Sequence, residues 1–237
     1  MRSIESLRRA GVSLLMVFLA GALPAEAAKR PRHGGTLRVE LHAASVTLDP
    51  RQWRAGSEEA ATGEKLAALL FDRLIVLDNY GRFQPQLAAE WSHDAAFRRW
   101  QFTLRSGVKF SDGAPLTAAD VVAAVQALVA PSRQASAAGN AVVIQSAAPM
   151  PDLLEELASG PYFIYRLKEG GGLAGTGPFV AAERPAAGAA SAPATRGDAA
   201  NPHLYFRANA EAWSGRPFVD AVDVALGVPP LRQLYDL

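Results

Sequence analysis

A chain of 237 residues, 49% apolar and 20% charged, is long enough to bury a core and too apolar to remain unfolded. Lysine and arginine total 24 against 23 aspartate and glutamate, so a net charge of +1 leaves no electrostatic footprint for a nucleic-acid backbone or an anionic membrane surface. Cysteine is absent, which excludes disulfides, thiolate metal sites, a cysteine nucleophile and a lipid-bearing N-terminal cysteine.

In chain order, Arg2, Arg8 and Arg9 precede an apolar run from Ala10 to Leu23 and then Ala25-Glu26-Ala27. This charged, apolar, small-x-small order predicts a secretory signal over residues 1–27, cut after Ala27. The apolar run is short of the ~20 residues that span a bilayer, so no stable membrane insertion is expected after cleavage. The mature chain has equal numbers of acidic and basic residues. Without a lipid anchor, its expected compartment is the periplasm.

Leu37, Val39 and Leu41 alternate with Arg38, Glu40 and His42, the period of a half-buried strand. A loop from Ala43 to Gly56 follows. Ser57 before Glu58 and Glu59 predicts a helix start, with Leu66, Leu69 and Leu70 as its apolar stripe. A strand over 74–77 meets the turn residues Asp78-Asn79-Tyr80-Gly81. Trp100, Phe102 and Leu104 predict a strand continuing past Gly107 through Val108 and Phe110 to the Asp112-Gly113 turn. Thr117 and Asp120 form the pattern of a capping box for a helix to about Val129, buried through Val121, Val122, Val125 and Leu128 and stopped by Pro131.

Further strands are predicted over 141–144, 162–167, 204–208 and 219–226, with a short helix over 152–158 closed by Gly160. The glycine-rich stretch 170–177 reads as a flexible crossover. The Ala-, Gly-, Pro- and Ser-rich stretch 181–202 reads as a mobile insertion.

The sequence holds no G-x-S-x-G elbow, no H-E-x-x-H and no P-loop. Gly170, Gly172 and Gly175 fit G-x-G-x-x-G, but Thr176-Gly177-Pro178 follows instead of the helix N-terminus that would receive a pyrophosphate. His33, His42, His93 and His203 stand singly and read as solvated or structural. Neighbouring carboxylates Glu58 and Glu59, or Glu155 and Glu156, diverge by about 100° on a helix and read as helix-start and solvated-face charges. The expectation is therefore a non-enzyme with no cofactor and no metal. Trp53, in a loop beyond a strand end, either contacts a ligand or packs.

Taken together, several segments resemble the extracellular solute-binding proteins of ABC importers called family 5, the peptide and nickel type. They are Gly34-Gly35-Thr36-Leu37-Arg38-Val39, Thr47-Leu48-Asp49-Pro50, Leu70-Phe71-Asp72-Arg73-Leu74, and the ordered block from Pro85 through Phe102 to Val122. Gly175-Thr176-Gly177-Pro178-Phe179 and Trp213 to Asp220 look like the family's return strands. Two departures stand out: Asp94-Ala95-Ala96-Phe97 replaces the usual Asp-Gly turn, and the connection from Val129 to Asn140 is shortened.

The resemblance implies an α/β, periplasmic-binding-protein-like fold of type II with a large cleft. The chain is expected to form its first lobe, with a mixed sheet and an inserted subdomain, and to lack the second lobe. Residues 28–50 would start lobe I, 51–170 form the inserted subdomain, and 171–237 return to lobe I. The implied function is periplasmic binding of peptides or similar small solutes and their delivery to ABC permease subunits. The alternatives are a truncated, non-binding paralogue or, behind it, an exported sensor domain or enzyme. By position beside the cleft, Ser45, Thr47, Asp49, Trp53 and Arg54 are the candidate ligand-binding residues.

Overall fold

A computed structural model describes residues 33–54, 56–169, 171–185 and 201–229. The expected signal peptide, Gly170 and most of the expected insertion lie outside the described residues. Among the described residues, no helix is long and apolar enough to cross a membrane.

Two four-stranded sheets dominate. The first is discontinuous and mixed: β1 (Thr36–Glu40) runs parallel to β12 (Ala221–Ala225), which pairs antiparallel with β11 (His203–Ala208), itself antiparallel to β10 (Phe179–Ala182). The second is antiparallel, in the order β4 (Ala88–His93), β5 (Arg99–Leu104), β7 (Ala141–Ser146), β6 (Arg133–Ala138). Two hairpins complete the strands: β2 (Ile75–Leu77) with β3 (Phe83–Pro85), and β8 (Tyr165–Leu167) with β9 (Leu173–Gly175).

Helix caps follow the sequence signals. Ser57 accepts from the Ala60 amide at the start of α1 (Glu58–Ala67). Thr117 and Asp120 close a reciprocal capping box on α2 (Ala118–Gln126). The short α3 (Leu153–Leu157) ends before Gly160 at φ +57°.

Each sheet has its own core. One gathers Trp100, Phe102 and Leu104 of β5 with Val121 and Val125 of α2, Val142 and Ile144 of β7, and Leu153 and Leu157 of α3. The other joins Leu66, Leu70 and Phe71 to Phe163, Phe179, Phe206, Val222 and Val224. Each fully buried aliphatic or phenyl group contributes roughly 1.5–3 kcal/mol. Thus α1 packs with the discontinuous sheet, and the chain crosses between cores at Asp72 and at Phe163–Ile164, where the Ile164 amide donates to the Asp72 carbonyl.

Five sequence expectations need correction. The strand β5 stops at Leu104, because Gly107 at φ +76° turns the backbone; only the isolated Lys109–Pro115 bridge follows. Strand β6 arises where no strand was expected, since Arg133 to Ala138 lacks apolar alternation and is ordered by six-residue pairing with β7 and by the Gln126 side chain, which bonds the Ala135 amide and the Arg133 carbonyl. The glycine-rich stretch is no flexible crossover: it forms β9, and residues 174–177 are buried. Strand β1 lies at a sheet edge, leaving Leu37 51% exposed rather than half-buried. The expected insertion begins inside β10, and beyond that strand Arg184 Nε still reaches the Asp223 carboxylate at 2.9 Å.

Candidate functional site

Where β1 and β12 end side by side, the Leu41 amide bonds the Ala225 carbonyl, and Val228 and Gly227 bond back to Leu41 and Ala43. The carboxyl ends of parallel strands are where open α/β sheets place ligands, and the loop 41–57 starts here.

The structure brings Thr47, Asp49 and Trp53 together but commits each of them to the loop itself. Trp53 Nε1 donates to the Thr47 carbonyl at 2.9 Å, and the indole meets Phe163 edge-on at 5.9 Å. Gly63 of α1 makes room for this: a Cβ there would lie 2.7 Å from the Thr47 carbonyl oxygen and 2.9 Å from Trp53 Nε1. The Trp53 indole is thus held in place by packing. Asp49 caps the 3-10 turn Pro50–Gln52, accepting from the Arg51 amide, from Arg51 Nε and Nη2 and from Gln52 Nε2. The Arg51 side chain, above all, holds the Asp49 carboxyl below the usual carboxylate range. Ser45 and Arg54 are exposed to solvent. Arg51, absent from the sequence-derived set, is a further exposed charged group of this loop.

Sequence reasoning also missed a buried polar cluster at the seam between the cores. Asp72 is 4% exposed. One carboxylate oxygen accepts from Gln86 Nε2 at 2.7 Å; the other accepts from Thr176 Oγ1 and Trp213 Nε1, both at 2.8 Å. Burial pushes this carboxyl above its usual range, against the pull of those three bonds. Arg73 beside it does not pair with it. Its Nη2 reaches Glu64 at 2.6 Å and the Gly160 carbonyl at 2.7 Å, the guanidinium lies 3.8 Å from the Phe163 ring centroid, and the buried Nε has no partner among the described residues. Gln86 reads both neighbours, since its Oε1 accepts from the Arg73 amide.

The rest of the seam is backbone against backbone. Gly177 and Phe179 donate to the Leu70 and Leu69 carbonyls, and a Cβ on Gly175 would fall 2.0 Å from the Leu70 oxygen. Such close approach explains the Gly-Thr-Gly run, while the signal for Asp72 was a single carboxylate inside Leu70-Phe71-Asp72-Arg73-Leu74. His203 and Glu156 are structural too: His203 Nδ1 lies 2.7 Å from Asp223, and Glu156 bonds both Arg133 and the Tyr162 hydroxyl.

Comparison with known proteins adds three findings. The model of the bacterial extracellular solute-binding proteins, family 5 Middle, matches residues 82–225. The probable deoxycholate-binding periplasmic protein YgiS of Escherichia coli (strain K12) is 34% identical over 131 residues, 53% of this chain and 24% of that protein. The periplasmic oligopeptide-binding protein OppA of Haemophilus influenzae is 33% identical over 87 residues, 37% of this chain and 16% of that protein. The chain thus spans less than a third of the length of these curated relatives.

Among solved structures, an ABC transporter substrate-binding protein from Sinorhizobium meliloti superposes with a TM-score of 0.67 at 20% identity, covering 85% of this chain and 41% of that one. A dipeptide-binding protein from Pseudoalteromonas sp. SM9913, in complex with Met-Leu, gives 0.68 at 17% identity, covering 85% and 45%. These two establish the fold.

Proposed function

Since the chain belongs to the bacterial extracellular solute-binding proteins of family 5, we propose that it serves as the solute receptor, or part of the receptor, of an ABC importer. Its cargo on this reading is a peptide or a similar small solute, carried in the periplasm and passed to membrane permease subunits without covalent chemistry. The observation that carries the reading is the family match across β3 to β12, which includes both the inserted antiparallel sheet and the return strands that close on β1. The charged, apolar, small-x-small order of residues 2–27 supports export. Ser45 and Arg54, exposed on the loop at the strand ends, are the ligand contacts we retain from the sequence; Thr47, Asp49 and Trp53 shape that loop.

Deleting the gene in the producing bacterium tests the reading. Uptake of radiolabelled tri- and tetrapeptides should fall severalfold and return when the gene is supplied in trans. Unchanged uptake of peptides would overturn the reading in favour of a non-binding paralogue.

A further inference from the structure

Beside the 3-10 turn lies a hollow of about 310 Å³, walled by Arg51, by Asp120 of α2, and by Tyr165 and Arg166 of β8. Ala123, Ala124 and Leu167 complete its lining, and Leu167 is 59% exposed. The volume is at the lower end of the ~300–1,000 Å³ typical of small-molecule sites. None of the sequence-derived candidates lines it.

The polar groups around this hollow keep unused hydrogen-bonding capacity. Arg51 engages Asp49 through Nε and Nη2, leaving Nη1 without a partner among the described residues. Arg166 touches Asp112 only through Nε, at 3.5 Å, so both of its terminal nitrogens are open in the same sense. The Tyr165 hydroxyl has no hydrogen-bond partner among the described residues, and burial, countered in part by Arg51, keeps it protonated as a donor. Asp120 spends one oxygen on the Thr117 amide and hydroxyl and keeps the other. Arg51, Tyr165 and Arg166 thus line the hollow beside two alanines and an exposed leucine, with Asp120 among them.

Resting on the importer reading, we propose that this hollow is a subsite for the C-terminal residue of a short peptide with an apolar side chain. The terminal carboxylate would accept from Arg51, Arg166 and Tyr165, since charge-assisted bonds to guanidinium are the strongest available there. The apolar side chain would cover Ala123, Ala124 and Leu167. Asp120 disfavours a second carboxylate, which makes the preferred class monoanionic and apolar rather than dicarboxylic.

The test is amide-resolved NMR of the mature chain titrated with Leu-Leu, with its C-terminal amide, and with Leu-Glu, each to millimolar concentration. Leu-Leu should shift the amides of Arg51, Ala123, Ala124 and 165–167. The amide and Leu-Glu should bind about tenfold more weakly, the equivalent of one charge-assisted contact. Arg166→Gln, whose spectral dispersion reports that it folds, should weaken Leu-Leu to the level of the amide in wild type, and Leu167→Asp should weaken it independently. Shifts centred on Ser45 and Arg54, equal binding of all three peptides, or no shift with Leu-Leu would each overturn the subsite. Peptide uptake that still depends on the gene would then leave the importer reading standing.

Discussion

The inserted sheet and the discontinuous sheet have the same number of strands and are built from opposite kinds of neighbour. In the inserted sheet every pairing joins strands within residues 88–146, and β5, β7 and β6 are linked in succession through one antiparallel ladder. The discontinuous sheet begins with β1 and waits for β12 to complete it; Gly35 and Asp220, whose carboxylate accepts the Gly35 amide at 3.1 Å, are 185 positions apart. Closing that loop costs chain entropy before any contact rewards it. The two regions should accordingly differ in how far they hold together when one core is damaged.

The largest expected effects test that difference directly. Phe102 and Phe206 are both fully buried, one in each core. Truncation of either to alanine should cost about 3–5 kcal/mol by urea denaturation. Hydrogen exchange should separate them. Phe206→Ala should expose the amides of β1 and β10–β12 while β5 and β7 stay protected, because the inserted sheet's pairings are local. If Phe206→Ala deprotects both sheets alike, the cores form one cooperative unit and the contrast between them fails.

Next in size is Gly175→Ala, at the seam. The added methyl would sit 2.0 Å from the Leu70 carbonyl oxygen and 2.4 Å from Phe71 Cδ1, and the first of these is backbone that cannot step aside. A loss of about 3 kcal/mol is expected, the upper end for overpacking. Gly172→Ala is the comparison within the same stretch: nothing lies within reach of its Cβ, and only its φ of +83° resists substitution. A loss of about 1 kcal/mol suits that conformational cost alone. Equal losses in urea midpoint would mean that the close approach at Leu70 is relieved by backbone movement.

The same contrast explains what could be read from the residues alone. Strand β5, helix α2 and its capping box were legible because alternation and caps are local signals, carried by Trp100, Phe102, Leu104, Thr117 and Asp120. Strand β6 was not, since Gln134, Ser136 and its alanines encode no face and owe their order to a partner strand. The return of residues 171–237 to the first lobe was expected only through resemblance, and the pairing of β1 with β12 was not legible, since nothing in Thr36–Glu40 names Ala221–Ala225. For the candidate site, position at a strand end pointed to the loop 41–57. It could not distinguish Trp53, which is locked against Gly63 and Phe163, from Arg51, which faces the hollow, because that distinction depends on side chains arriving from residues 120–124 and 163–167.

A smaller effect tests the polar seam through its pH dependence. Burial raises the folded carboxyl of Asp72 above its ordinary value of 3.8, so the folded protein binds this proton more tightly than the unfolded chain. The Asp72 contribution is therefore fully present below pH 3.8 and declines as pH rises through the raised folded value. Asp49, lowered by its Arg51 contacts, acts in the opposite sense, and its stabilising contribution is lost as pH falls below 3.8. Asp72→Asn keeps one acceptor for Thr176 and Trp213 but turns an amide group toward Gln86 Nε2. A cost of about 1–2 kcal/mol is expected at low pH, since one buried donor is left unpaired. The gap between wild type and variant should narrow as pH rises above 3.8. A gap that widened instead would mean that the ionised carboxylate is the form the seam prefers.

The smallest effect belongs to the inserted sheet, at the turn between β4 and β5. Phe97 has φ +52°, the one non-glycine residue with positive φ among the described residues, and it belongs to the segment Asp94-Ala95-Ala96-Phe97 that replaces the family's usual Asp-Gly turn. Asp94 holds the turn by accepting from the Arg98 and Arg99 amides at 2.7 and 3.1 Å, and His93 stacks on the Phe97 ring at 4.3 Å. The left-handed conformation costs an L-residue roughly 1–2 kcal/mol, which glycine escapes. Replacing Phe97 by glycine therefore removes two opposed contributions at once, backbone strain and ring packing. Phe97→Ala removes only the packing and keeps the strain. Glycine also loses more chain entropy on folding, by roughly 0.5–1 kcal/mol. The glycine variant should thus exceed the alanine variant in urea stability by about 0.5–1 kcal/mol, the strain relieved less that entropy. Both should fall below wild type, because the half-buried ring packs against the core around Trp100. Alanine equal to or more stable than glycine would show that the ladder of β4 and β5 sets this turn without regard to its φ, and that local pairing dominates the inserted sheet even at its tightest bend.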